Sequence, residues 1–206
     1  MPSDQTITLS EASALLYKQV SRFSNLDEYE WQMLEPHLSI RQLKRHEYFI
    51  REGKKGNEVG MVLQGTLRQF YTKDGVERTT YFFFEGHLMS AYISCLSATP
   101  SLVSIEALSD TTYISFPYDV LVRLYQRSMG WQQFGRRIAE YIATGLEQRM
   151  AGLLLLSPEE RYRELLSGSK SLILERVPQQ YVANYLGITP VSMSRIRNRL
   201  LKKPPR

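Results

Sequence analysis

Residues 179–198, QQYVANYLGITPVSMSRIRN, place an alanine and a glycine four positions apart inside a run of apolar residues. That spacing is demanding. Two short helices that cross steeply need a small side chain where the second passes over the first, and Ala183 supplies it. The turn between them needs a residue that accepts positive φ, which Gly187 does without steric cost. Val182, Leu186 and Ile188 flank these positions as a shared core. Met193, Ile196 and Leu200 recur at i, i+3 and i+7 and face that core from the second helix. Thr189 is placed to cap the second helix, with Pro190 at its first position. The pattern predicts a helix-turn-helix whose structural residues are Ala183, Gly187, Met193 and Ile196.

At about 100° per residue, the Met193/Ile196/Leu200 stripe turns inward and Arg195 points away from it, among Val191, Ser192, Asn198 and Arg199. A guanidinium so presented can donate two parallel hydrogen bonds to guanine N7 and O6. Ser192, Arg195 and Asn198 are therefore the candidate base contacts. Thr189, Arg199, Lys202 and Lys203 are the candidate phosphate contacts, which position a helix without reading sequence. The charge distribution points the same way. The chain carries +5 overall, yet residues 177–206 hold six Lys and Arg and no acid, which leaves the other 176 residues at −1. A nearly neutral body with a basic end is the footprint of a nucleic-acid binder. A solvated cationic tail is the plain alternative. The alanine–glycine spacing and the caps argue against it.

Upstream, the texture changes twice. Residues 10–38 have apolar positions at three- and four-residue spacing and read as helical. Residues 40–116 break into short runs rich in β-formers: EYFI, VGMVLQG, TLRQFYT, RTTYFFF, SLVSIEAL and TTYISF, separated by glycine-bearing turns. Asp74-Gly75 between two such runs predicts a tight hairpin. Strands so spaced argue for a β-sandwich or barrel of about eighty residues. After Pro117, residues 118–127 read as a short amphipathic helix, and no proline interrupts residues 131–156. Phe134, Ile138, Ile142, Leu146, Met150 and Leu153 lie close to one stripe of that long helix, which must be covered. The β-domain could cover it, or the same helix of a second copy. Apolar residues on both sides (Tyr141, Leu146) favour the second, with Phe134, Ile138, Ile142 and Met150 as dimer-helix residues. Ser157-Pro158-Glu159-Glu160 is a helix restart with a capping box. A helix to about residue 166, a turn over 167–170 and a β-like stretch over 171–177 follow.

Composition removes other classes. No run of eighteen apolar residues suggests a membrane span, and MPSDQTITLS does not read as a secretory signal. With Cys95 as the single cysteine, no internal disulfide or iron–sulfur cluster can form. A cytoplasmic protein is the default expectation. The three histidines, His37, His46 and His87, stand apart, which argues against a metal-dependent cupin-like enzyme and makes a haem ligand the lesser reading of each. Cys95 sits in an apolar context and reads as packing rather than as a redox switch. No catalytic residue, metal or cofactor is expected.

Taken in order, these parts resemble the Crp/Fnr family of bacterial transcription regulators. The family joins a β-roll sensor, a long dimerisation helix and a winged helix-turn-helix, and the stretch REGKKGNEVGMVLQGTLRQFYTKDGVERTTYFFFEG resembles its glycine-punctuated sheet. The resemblance implies an α+β chain: a cyclic-nucleotide-binding-like β-roll with flanking helices over residues 1–129, a dimerisation helix over 130–156, and a DNA-binding unit over 157–206. It implies double-stranded DNA and a second copy as partners, leaves RNA polymerase open as another, and names no effector. Two departures matter. Cyclic-nucleotide binders carry Gly-Glu and Pro-Arg, where this chain has Ser90-Ala91 and Pro100-Ser101. A buried phosphate without its arginine is uncompensated, so tight binding of cyclic nucleotides is not expected. Ser90, Tyr92 and Ser101 then become the residues of any different effector pocket. The sequence also runs LLKKPPR after the recognition helix, where the family continues into a wing, so a truncated wing is expected. A cupin-like enzyme and an interaction module whose helix-turn-helix no longer binds DNA are the rival readings.

Overall fold

The computed structural model describes residues 7–166 and 171–202, with only the backbone for 201 and 202. The turn expected over 167–170 and the phosphate contact expected from Lys203 lie outside the described residues, as does the side chain of Lys202. Helices α1 (Leu9–Val20) and α2 (Glu28–Gln32) come first. Strands β1 (Ser39–Leu43), β2 (Tyr48–Ile50), β3 (Glu58–Gln64), β4 (Leu67–Lys73), β5 (Val76–Phe83) and β6 (Leu88–Met89) follow, then α3 (Tyr92–Ser97), β7 (Ser104–Ala107) and β8 (Thr111–Pro117). The rest is helical: α4 (Tyr118–Arg127), α5 (Met129–Leu155), α6 (Pro158–Leu166), α7 (Ser171–Arg176), α8 (Gln179–Tyr185) and α9 (Pro190–Lys202).

The strands form two antiparallel sheets in the orders β1-β8-β3-β6 and β2-β7-β4-β5. The hairpin between β4 and β5 turns through Asp74 (φ 52°) and Gly75 (φ 74°), with Lys73 paired to Val76. Two central residues at positive φ make the type I′ turn, whose twist matches that of the flanking strands. Between the sheets lie Val62, Leu67, Phe83, Met89, Ile105, Ala107 and Tyr113.

Strand β3 is buried on both faces, which is why EVGMVLQ carries a continuous apolar run rather than an alternation. Its outward residues Met61 and Leu63 meet a cover built from α1, α2, α4 and the start of α5. Glu30 fixes that cover. Its carboxylate accepts from the Ser128 hydroxyl and, at 3.1 Å, from the Gly130 N–H, and its carbonyl accepts from Trp131 Nε1 at 3.0 Å. Trp131 is fully buried and stacks on Trp31 at 6.3 Å.

Three elements differ from expectation. The long helical region before the roll is interrupted into two helices and a 3-10 turn, Glu35–His37, opened by Pro36. Residues 171–176, read as β-like, are helical as α7. No described strand lies beside this segment to take its backbone groups, whereas a helix satisfies them internally and places Ile173 and Val177 one turn apart in the same core. Finally Phe134, read as a dimer-helix residue, is 3% exposed and packs in the chain's own core, with Ile138 half-buried beside it. The first half of α5 lies on the roll. Ile142 is half-buried, and past Tyr141 the second half of the helix presents a run of apolar side chains outward: Leu146, Met150, Leu154 and Leu155 are all exposed.

Truncating Trp131 to alanine removes the side chain that joins α2 to α5 and leaves a large cavity. The expected cost is about 3–5 kcal/mol, measured as a lowered urea midpoint with little change in slope.

Candidate nucleic-acid interface

The two helices of the expected motif are α8 and α9, and the chain between them closes in a specific way. The Gly187 N–H donates to the Asn184 carbonyl and the Ile188 N–H to the Ala183 carbonyl, both at 3.0 Å, with Gly187 at φ +71°. These two bonds make the Schellman ending, which uses up carbonyls that a helix end would otherwise leave bare. Ala183 is fully buried, and Val182, Leu186, Met193 and Ile196 surround it with exposures of 6% or less. The Thr189 hydroxyl then accepts the Ser192 N–H at 3.1 Å and caps α9.

The site residues read from the sequence fall into two groups. Arg195 and Asn198 are exposed, and Arg195 has no hydrogen-bond or ion-pair partner among the described residues. Ser192 is half-buried, and its hydroxyl is bonded to Thr189 at 2.9 Å, so these two belong to the cap first. Arg199 is exposed but reaches Glu159 at 3.3 Å, a carboxylate that also holds Arg163 at 2.6 Å. A surface pair of this kind contributes little and yields readily to a stronger anion.

Sequence reasoning missed two arginines behind this face. Arg161 donates to the carbonyls of Leu156 at 2.6 Å and Leu186 at 3.0 Å, joining the end of α5 to the end of α8. Arg149 donates to the Tyr185 carbonyl and lies 3.7 Å over the Tyr185 ring. Burial, with the neighbouring Arg161 cation, draws the Arg149 guanidinium below its ordinary value.

It also missed that α8 docks on the roll. Phe82, Phe84 and Leu108, from the outer face of the second sheet, share one apolar cluster with Tyr162, Leu165, Ile173, Val177, Val182 and Ile196. Polar contacts tie the same surfaces. Asn184 Nδ2 donates to the Glu77 carbonyl at 2.8 Å, its Oδ1 accepts the Thr79 N–H at 2.6 Å, and Arg176 meets Glu85 at 2.6 Å. Arg68 is 3% exposed, is held by Glu106 and Glu77 at 2.7 Å each, and lies 4.0 Å from the Tyr181 ring. A signal existed: TLRQFYT and SLVSIEAL each carry a single charged residue, an arginine in one and a glutamate in the other, in keeping with a buried pair.

Two of the three candidate effector residues spend their hydroxyls within the chain itself. Ser101 is buried, its hydroxyl donating to the Val103 carbonyl at 2.8 Å, and Ser90 donates to the Glu58 carbonyl at 3.0 Å. Tyr92 is half-buried on α3. A cleft of about 590 Å³ opens instead beside β2, lined by His46, Tyr48, Phe49, Arg51, Lys54 and Ala91 among others, and by none of those three. The Ser101 hydroxyl is absorbed by a local carbonyl, which short polar side chains in turns readily do, and that of Ser90 by the carbonyl at the start of β3. His46 bonds Glu106 at 2.8 Å, and His87 is half-buried against Phe84, where burial lowers its basicity. No group of three His, Cys, Asp or Glu among the described residues could hold a metal ion, and no described helix is long and apolar enough to cross a membrane.

Residues 40–128 match the family model of the cyclic nucleotide-binding domain. The transcriptional activator protein Anr of Pseudomonas protegens is 25% identical over 173 residues, 77% of this chain and 69% of its own. Anr of Pseudomonas aeruginosa is 27% identical over the same lengths. Among solved structures, FixK2 from Bradyrhizobium japonicum superposes with a TM-score of 0.67 at 18% identity, covering 80% of this chain and 85% of that one. A mutant of CooA from Carboxydothermus hydrogenoformans gives 0.65 at 16% identity, covering 86% and 82%.

A Cβ at Gly187 meets no atom within 4 Å, so substitution there tests backbone strain alone. Gly187→Val is expected to cost roughly 1–2 kcal/mol, and Gly187→Asn distinctly less, read as loss of thermal stability.

Proposed function

We propose that the chain is a member of the Crp/Fnr family and works as a homodimeric, sequence-specific DNA-binding transcriptional regulator that does not respond to cyclic nucleotides. The observation that carries this reading is α9. It is capped and packed along one stripe, and it turns Arg195 and Asn198 outward with nothing laid over them among the described residues. Its relatives are named as transcriptional activators, not enzymes.

In this reading Arg195 donates to a guanine edge, Asn198 and Ser192 reach neighbouring edges, and Thr189, Arg199, Lys202 and Lys203 hold phosphates. The roll occupies residues 1–129, the dimer helix 130–156 and the DNA-binding unit 157–206. The second half of α5 supports pairing, since Leu146 and Met150 are 63% and 59% exposed and Leu155 80%. An isologous pair of these helices sets two α9 helices on one duplex, with half-sites about one helical turn apart. RNA polymerase is a further partner of such a regulator. A roll without an arginine after Pro100, and with Ser101 bonded to its own backbone, offers a cyclic phosphate no counter-charge.

Selection of duplexes from a random pool tests the reading directly: a two-fold symmetric motif supports it, and recovery of no motif overturns it. On the selected site, Arg195→Ala should cost roughly 1–3 kcal/mol and relax preference at one base pair, whereas Lys202→Ala should weaken selected and random DNA alike. Equal behaviour of the two variants would refute the division into base and phosphate contacts. Cyclic AMP or GMP at sub-millimolar concentration should raise Tm by less than about 1 °C, because a ligand that binds the native state at many times its Kd must stabilise it visibly. A rise of several degrees would contradict the proposal.

A further inference from the structure

The side chain of Asn184 occupies an unusual position. Strand β5 is an edge of its sheet, so on its outer side the Glu77 carbonyl and the Thr79 N–H point away from β4. Asn184 answers both, donating from Nδ2 to one and accepting through Oδ1 from the other. A primary amide carries the same donor and acceptor as a peptide group. One side chain of α8 therefore stands where a neighbouring strand would place its backbone.

The contacts around it share one face of α8. Tyr181, Asn184 and Tyr185 are spaced i, i+3 and i+4, and all three turn to the roll: Tyr181 over Arg68, Asn184 on β5, and Tyr185 against Phe82 at 5.3 Å. Arg68 Nη1 has no hydrogen-bond partner among the described residues, so the Tyr181 and Phe70 rings help to offset burial of that cation. None of this touches the outward side of α9, where Val191, Arg195, Asn198 and Arg199 stay exposed. The dock does not cover the reading face.

We propose that Asn184 is a positioning residue that fixes the helix-turn-helix on β5 in a posture able to read DNA, so that the angle of the recognition helix is built into the free protein rather than set by a ligand. The inference rests on the DNA-binding role proposed for α9. It assigns orientation to a residue that need not touch DNA.

Two measurements on the full chain test it. In DNA-free protein the Thr79 amide should exchange slowly with solvent, and Asn184→Ala should speed it about tenfold, the scale of one lost hydrogen bond. If Thr79 exchanges equally fast in both, the dock is not populated and the proposal fails. On the selected duplex, shifting the half-site spacing by one base pair should weaken the unsubstituted protein about tenfold or more, the size of one misplaced bidentate contact. Asn184→Ala should lose most of that discrimination while binding a single half-site as before; undiminished discrimination would refute the positioning role. Should Asn184→Ala lose single half-site binding because the unit unfolds, Asn184→Asp serves, since it keeps the acceptor for Thr79 but cannot donate to Glu77, and it too should tolerate the altered spacing. If the unsubstituted protein binds no duplex at all, the DNA reading falls and the positioning role with it, although Thr79 protection would still report the dock.

Discussion

Both outer faces of the roll carry apolar side chains that have to be covered. This one requirement organises the chain. The first sheet turns Met61, Leu63, Ile114 and Phe116 outward, and the helices before and after the roll close over them. The second turns out Phe82, Phe84 and Leu108, and there the cover is the helix-turn-helix itself. Burying such side chains is worth roughly 1.5–3 kcal/mol each against leaving them wet. A division of the chain at residue 157 is thus real in sequence, where Ser157 and Glu160 cap a new helix, but not in packing, where one core crosses it.

Much of this was legible because local chemistry decided it. Asp74-Gly75 permits few turns, Ser157-Pro158 permits few continuations, and Ala183 with Gly187 permits a steep helix crossing. What could not be read is what depends on a distant neighbour. Phe134 looked available for a partner because nothing in its surroundings along the chain says that Phe23 lies against it. Residues 171–176 have strand-like composition and become a helix for lack of a strand to pair with. Asn184 was invisible for the same reason. Its two partners lie more than a hundred residues upstream, and one asparagine on a short helix gives no sign of them.

The same logic separates the two groups of cations. Arg195 is exposed and unpaired, whereas Arg68, Arg149 and Arg161 are engaged by glutamates, aromatic rings or carbonyls. Charge counted along the sequence weights them equally. Burial sorts them into arginines that hold the molecule together and those left exposed, and Arg195 belongs to the second kind.

The amide of Asn184 on β5 bears on self-association as well. A bare sheet edge offers its backbone to any extended segment that drifts past, including another copy of itself, and folded proteins that keep such edges tend to grow into fibres unless something blunts them. Here the blunting is done by a helical unit from elsewhere in the chain, through a side chain that mimics a peptide. Lifting that unit away would bare a row of backbone groups beside Phe82 and Phe84, a hazardous surface in a crowded solution. The chain therefore has a reason to keep its two halves together that is independent of anything they bind.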